Sequence, residues 1–109
     1  MPQVIHHPRV AWDTARVFVA ATETDEVFGW VSERLASILG PEHRRELTDT
    51  RARLQWPTVA NAEAVEAGRW RVRLEDALAA RPEAAEPLWE LAAVTATRLR
   101  GHEGAADAR

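Results

Sequence analysis

The chain has no cysteine, no tyrosine and no lysine. Without cysteine there is no disulfide, no thiolate metal site and no cysteine nucleophile, and the simplest compartment is the cytosol. Long apolar runs are missing as well. The longest near the N-terminus, Val17 to Ala21, falls far short of the roughly 18 residues a membrane span requires, and no basic leader precedes an apolar segment. A soluble cytoplasmic protein with no membrane partner is expected. Positive charge is also short: all 14 basic residues are arginine, set against 17 acids for a net charge of -3. A nucleic-acid binder ordinarily carries a basic surplus that offsets phosphate repulsion. The chain holds no Gly-x-Ser-x-Gly, P-loop, dinucleotide fingerprint or His-Glu-x-x-His.

What is present is helical periodicity. With 109 residues the chain fits one domain, long enough to bury about two thirds of the surface its unfolded form exposes. The clearest stretch is Asp25 to Leu39, closed by Gly40-Pro41. At about 100° per residue it places Phe28, Val31, Leu35, Ile38 and Leu39 on one stripe. Thr22, Thr24 and Asp25 offer N-cap oxygens, and Gly40 suits a left-handed C-cap. Before it, Pro8 suits a first helical position and Arg9 to Ala21 gathers Val10, Thr14, Val17, Phe18 and Ala21 on a broad face, with Trp12, Ala15 and Val19 behind. The rival there is a strand over Arg16 to Ala20, since Val-Phe-Val is β-prone.

Three further helices follow. Glu42 to Gln55, stopped by Pro57, carries the narrow stripe His43, Leu47, Thr50 and Leu54, the pattern of a peripheral helix. The next starts at Thr58 or Asn61 and ends at Ala80. Arg69 to Leu74 alternates with a strand-like period of two, but its flanks are rich in helix formers. Read as a helix it has two apolar sides: Val59, Trp70, Leu74 and Ala77 on one, and Val65, Val72 and Ala79 opposite. The last helix starts at Pro82 or Pro87 and runs to about Arg100, burying Leu88, Leu91, Ala92, Thr95 and Leu99. The expected organisation is an all-α, compact bundle of four to five helices over residues 8–100, with an irregular arm at 1–7 and a flexible tail at 101–109.

Chemistry is sparse. Glu63 with Glu66 and Glu83 with Glu86 repeat Glu-x-x-Glu on consecutive helices, placing two acids on one face where magnesium can sit between helices. This arrangement resembles the all-helical nucleotide pyrophosphohydrolases of the MazG type, and the resemblance implies a magnesium-dependent enzyme. That family's second motif ends in an Asp within an apolar helix, whereas Glu86 is followed by Pro87 and no Asp stands among Leu88 to Leu99. Acids at a helix start complement the helix dipole without any ligand. His6-His7 diverge too far to chelate one metal outside a special loop, and His43 on an apolar stripe is read as a packed residue. Arg44, Arg45, Arg51 and Arg53, and then Arg69, Arg71 and Arg73, lend two helices basic character. Interspersed acids make these mixed solvated faces. No catalytic, cofactor-binding or metal residue is assigned.

The segments Trp30-Val31 and Arg34-Leu35 leading into Ile38-Leu39-Gly40, then Trp70-x-x-x-Leu74 and Ala80-Arg81-Pro82-Glu83, resemble a type of small Ala- and Arg-rich helical protein of high-GC actinobacteria. That resemblance supports helix at Trp70 and implies no substrate, cofactor or catalytic residue. Five tryptophans are many for so short a chain. Trp30 falls roughly 110° and Trp89 roughly 90° from the middle of their stripes, on flanks where aromatics serve either as core rims or as partner contacts. Gly68, beside the second apolar side, lets another backbone approach. The expected function is therefore a helical interaction or oligomerisation module, a homodimer or a partner of another protein, with Trp30, Val65, Gly68, Val72 and Trp89 as interface candidates. Either the first helix covers the Val65, Val72 and Ala79 ridge or a second copy does.

Overall fold

Pro8 stands in the opening turn of the first helix, α1 (His7–Ala21), where its missing amide costs nothing. The computed structural model describes residues 7–107, with side chains for 8–101. The arm expected at 1–7 and the His6-His7 pair lie outside the described residues, apart from the His7 backbone that opens α1. The strand considered for Arg16 to Ala20 is helix. Val10, Ala11, Thr14, Ala15, Phe18, Val19 and Ala21 are buried, while Val17 is half-buried and Trp12 is exposed. The enclosed face thus lies further toward Ala11 and Ala15 than the sequence pattern places it. The Thr22 hydroxyl donates to the Val19 carbonyl at 2.7 Å, closing this helix rather than opening the next.

Helix α2 (Asp25–Leu39) has Thr24 at its N-cap position, but no side-chain cap bond forms. Asp25 and Glu26 stand in its first turn instead, where their negative charge complements the helix dipole. Gly40 ends it with its amide on the Ala36 carbonyl at 2.9 Å. Its φ of 110° lies in the positive region expected, yet ψ of 161° is extended rather than left-handed helical. Side chains rarely adopt that conformation. The extended exit lets Gly40 serve at once as the cap of α2 and the lead into α3 (Pro41–Gln55), with Pro41 in the first turn.

Helix α4 (Ala62–Ala80) is continuous through Arg69 to Leu74, so flanking helix formers override the strand-like alternation. It begins after Asn61, which leaves Val59 in the preceding loop and exposed rather than on the Trp70 stripe. Both proposed starts of the last helix have a role. Pro82 opens a 3₁₀ turn, Pro82–Ala84, that runs directly into α5 (Ala85–Asp107). Pro87 then falls in the first turn of α5, where its amide has no intrahelical duty. Helix α5 continues past Arg100, because isolated glycines at about 1 kcal/mol each do not stop a helix already propagating through alanines.

The described residues therefore form five α-helices and no strand. Helix α1 runs through the middle, packed most extensively on α4 and next on α5, while α2 packs on α3 and α5. One apolar cluster draws on every helix: Phe18 and Ala15 from α1, Val31 and Leu35 from α2, Leu47 from α3, Trp70, Leu74 and Leu78 from α4, Leu88 and Leu91 from α5. No helix is long and apolar enough to cross a membrane among the described residues.

Candidate interaction surface

Helix α4 has one side sealed and one side open. On the sealed side Trp70 is 2% exposed and meets the Phe18 ring edge-on, with centroids 5.4 Å apart and planes at 89°. This is the arrangement aromatic quadrupoles favour. The Trp70 indole N–H donates to Thr50 Oγ1 of α3 at 2.8 Å, so its one polar group is satisfied inside the core. Next to it Glu66, only 4% exposed, accepts two bonds from Arg53, at 3.0 Å from Nε and 2.9 Å from Nη2. A two-pronged guanidinium is what a buried carboxylate needs, and the same bond holds the Arg53 guanidinium above its ordinary pKa. Arg73 pairs with Glu46 at 3.1 Å. Helix α3 is fastened to α4 along one edge by these polar contacts.

On the open side Val65 and Val72 are 40% and 49% exposed, and Ala79 is exposed. A Cβ built on Gly68, between the two valines, meets nothing within 4 Å. This ridge borders a groove of about 790 Å³ between α3 and α4, whose lining includes Gly68, Arg69, Val72 and Asp76 from α4 and His43 and Glu46 from α3. Burial holds the His43 imidazole below its usual pKa, helped by Arg73 and Arg81, while Glu42 and the Leu39 backbone oppose the shift. Its Nδ1 is buried without a hydrogen-bond partner.

No family model, curated protein or solved structure matches this chain.

Of the five interface candidates, three come together: Val65, Gly68 and Val72 share the open face of α4. The two tryptophans lie elsewhere. Trp30 lines a separate groove between α2 and α5, to which α4 contributes nothing, and it is capped by the Arg98 guanidinium at 4.1 Å and Arg34 at 5.8 Å. It packs against the core as a rim residue. Trp89 stands exposed on α5.

The acids that carry the pyrophosphohydrolase resemblance are not gathered. Glu66 is occupied by Arg53, while Glu63, Glu83 and Glu86 are solvent-exposed. Among the described residues no group of three or more His, Asp or Glu lies where a metal ion could be held. The basic faces are largely committed within the chain as well: Arg44 pairs with Glu33, Arg51 with Asp25, Arg53 with Glu66, Arg71 with Glu75 and Arg73 with Glu46.

Sequence reasoning missed Leu78, which is fully buried, and the Glu66, Arg53, Thr50 and Trp70 chain of polar contacts. Leu78 lies one helical turn beyond Leu74, so its spacing alone was sufficient to find it. The polar chain joins residues 13 and 20 apart on different helices, and no local pattern encodes that.

Proposed function

We propose that this protein is a contact module that associates with a second copy of itself through the open face of α4. The observation that carries the reading is the half-exposed pair Val65 and Val72 flanking an open Gly68 on a helix whose other side α1 already occupies. The first helix was one of two possible covers for that ridge; it packs on the Trp70 side instead. Apolar patches left on a monomer's surface mark interaction sites when they are contiguous and rimmed by charge, and here Arg69, Arg71, Glu75 and Asp76 form the rim. A helix face that lets another backbone come close at a glycine suits a helical partner. A second copy supplies one without any further component, in the two-fold symmetry that most homodimers adopt.

Gel filtration coupled to light scattering over a range of concentrations tests this. The expected result is a dimer that Val72→Glu dissociates while far-UV circular dichroism stays unchanged. A concentration-independent monomer, unaltered by Val72→Glu, overturns self-association and leaves a foreign helix as the occupant.

A further inference from the structure

We infer that the two copies meet with their α4 helices antiparallel, on a two-fold axis beside Val72, so that Arg69 of each pairs with Asp76 of the other. This rests on the self-association reading above and adds direction and register to it. Two charges have no partner at home: neither Arg69 nor Asp76 takes part in any ion pair among the described residues. Both line the α3 edge of the ridge. At 100° per residue, Arg69 lies about 60° and Asp76 about 40° from Val72, both to the same side. A two-fold axis perpendicular to α4 keeps each edge facing the same edge of the partner and reverses the order along the helix. Arg69 is three positions before Val72 and Asp76 four after it. In the antiparallel pair they therefore fall within about one residue's rise, 1.5 Å, of each other.

The same operation accommodates the rest of the ridge. Val72 faces Val72, and Val65 faces Ala79, large against small. By the same count of 100° per residue Gly68 lies about 40° and Glu75 about 60° to the other side of Val72, so Gly68 faces Glu75, where its lack of a side chain leaves room. A parallel pair does worse. A two-fold axis along the helices brings opposite edges together at the same height, setting Asp76 against the other copy's Glu75 and leaving Arg69 facing Gly68, so the acids repel and the arginine stays unpaired. Like charges juxtaposed across an interface select against an arrangement, and complementary ones fix its register.

The absence of cysteine makes the geometry directly testable. Packed helix axes lie about 8–10 Å apart and each helix has a radius of about 2.3 Å, which leaves facing Cα atoms within the span a disulfide bridges. Under mild oxidation Val72→Cys should crosslink to itself efficiently. Val65→Cys and Ala79→Cys should each crosslink poorly alone but well when mixed. Separately, Arg69→Asp and Asp76→Arg should each raise the dimer dissociation constant by roughly tenfold, as expected when two exposed ion pairs become two repulsions. The double substitution in one chain should restore it. A dimer in which Val65→Cys crosslinks to itself, or in which the double charge swap is no better than either single one, overturns the antiparallel register while leaving self-association standing. A chain that stays monomeric at all concentrations overturns both. All five substituted positions are solvent-exposed, and unchanged circular dichroism of each variant separates loss of pairing from loss of fold.

Discussion

On the side of α4 that faces α1, Trp70, Leu74 and Leu78 are sealed from water; on the other side Val65, Val72 and Ala79 remain in contact with it. Both sides are apolar, so hydrophobicity alone does not decide which one the fold covers. Bulk does. Fully burying a large side chain contributes about 1.5–3 kcal/mol, and the sealed side presents three such groups, whereas the open side offers two valines and an alanine around a glycine. Neighbouring chemistry reinforces the choice. Thr50 satisfies the Trp70 indole and Arg53 satisfies Glu66, so the polar atoms that accompany the large residues enter the core without being orphaned. The open side is left with the weaker claim on the chain's own helices and is therefore the one available to another molecule.

The contrast is broken most severely at Trp70. Trp70→Ala removes a buried aromatic, its edge contact with Phe18 and its bond to Thr50, and should cost about 3–5 kcal/mol. Urea denaturation measures it. A cost below about 1 kcal/mol, within the range of an ordinary surface substitution, contradicts the assignment of this side as the sealed one.

The edge between the two sides gives the next effect. Arg53→Met leaves the Glu66 carboxylate buried with no partner and should destabilise the chain by about 2–4 kcal/mol, somewhat under the cost of breaking a wholly enclosed pair because Arg53 itself reaches solvent. Glu66→Gln keeps a hydrogen-bond acceptor for the guanidinium and leaves a charge that water can reach, so about 1 kcal/mol is expected. The order of the two matters more than their size. If Glu66→Gln proves the costlier, the carboxylate is not the group that depends on its partner.

Much of this architecture is legible in the residues themselves. Gly40-Pro41 marks the α2 to α3 corner because only glycine readily takes a φ of 110° and proline suits the turn that follows. In α5, Leu88, Leu91, Ala92 and Thr95 are buried as their three- and four-residue spacing demands. What periodicity does not carry is the choice between two apolar sides of one helix, because that depends on which neighbour arrives. Val59 illustrates a second limit: its place on a wheel presumed a helix beginning at Thr58, and the helix begins at Ala62. The candidate site divides the same way. Val65, Gly68 and Val72 share a face by spacing alone, whereas separating Trp30 from them requires knowing that it lines a groove between α2 and α5. Glu66 looked like one acid of a pair and is the buried half of an ion pair, since its partner lies on another helix.

The smallest effect belongs to His43, at the groove edge where α3 meets α4. Burial holds its pKa below the ordinary value, so the folded chain disfavours the proton that the unfolded chain accepts at about pH 6.5. Above that pH both states are neutral and the contribution to stability is complete. As pH falls from about 6.5 toward the lowered folded value, the unfolded state binds more protons and stability declines, with a slope no steeper than about 1.4 kcal/mol per pH unit for a single proton. Below the folded value both states are charged and the loss levels off. Comparing urea midpoints of the parent chain and His43→Leu between pH 7.5 and 5.5 isolates this site, since every other titrating group is common to both. The parent should lose stability relative to the variant as the pH drops. The opposite trend places His43 in a surrounding that welcomes the proton and moves it from the sealed edge of the groove to the open one.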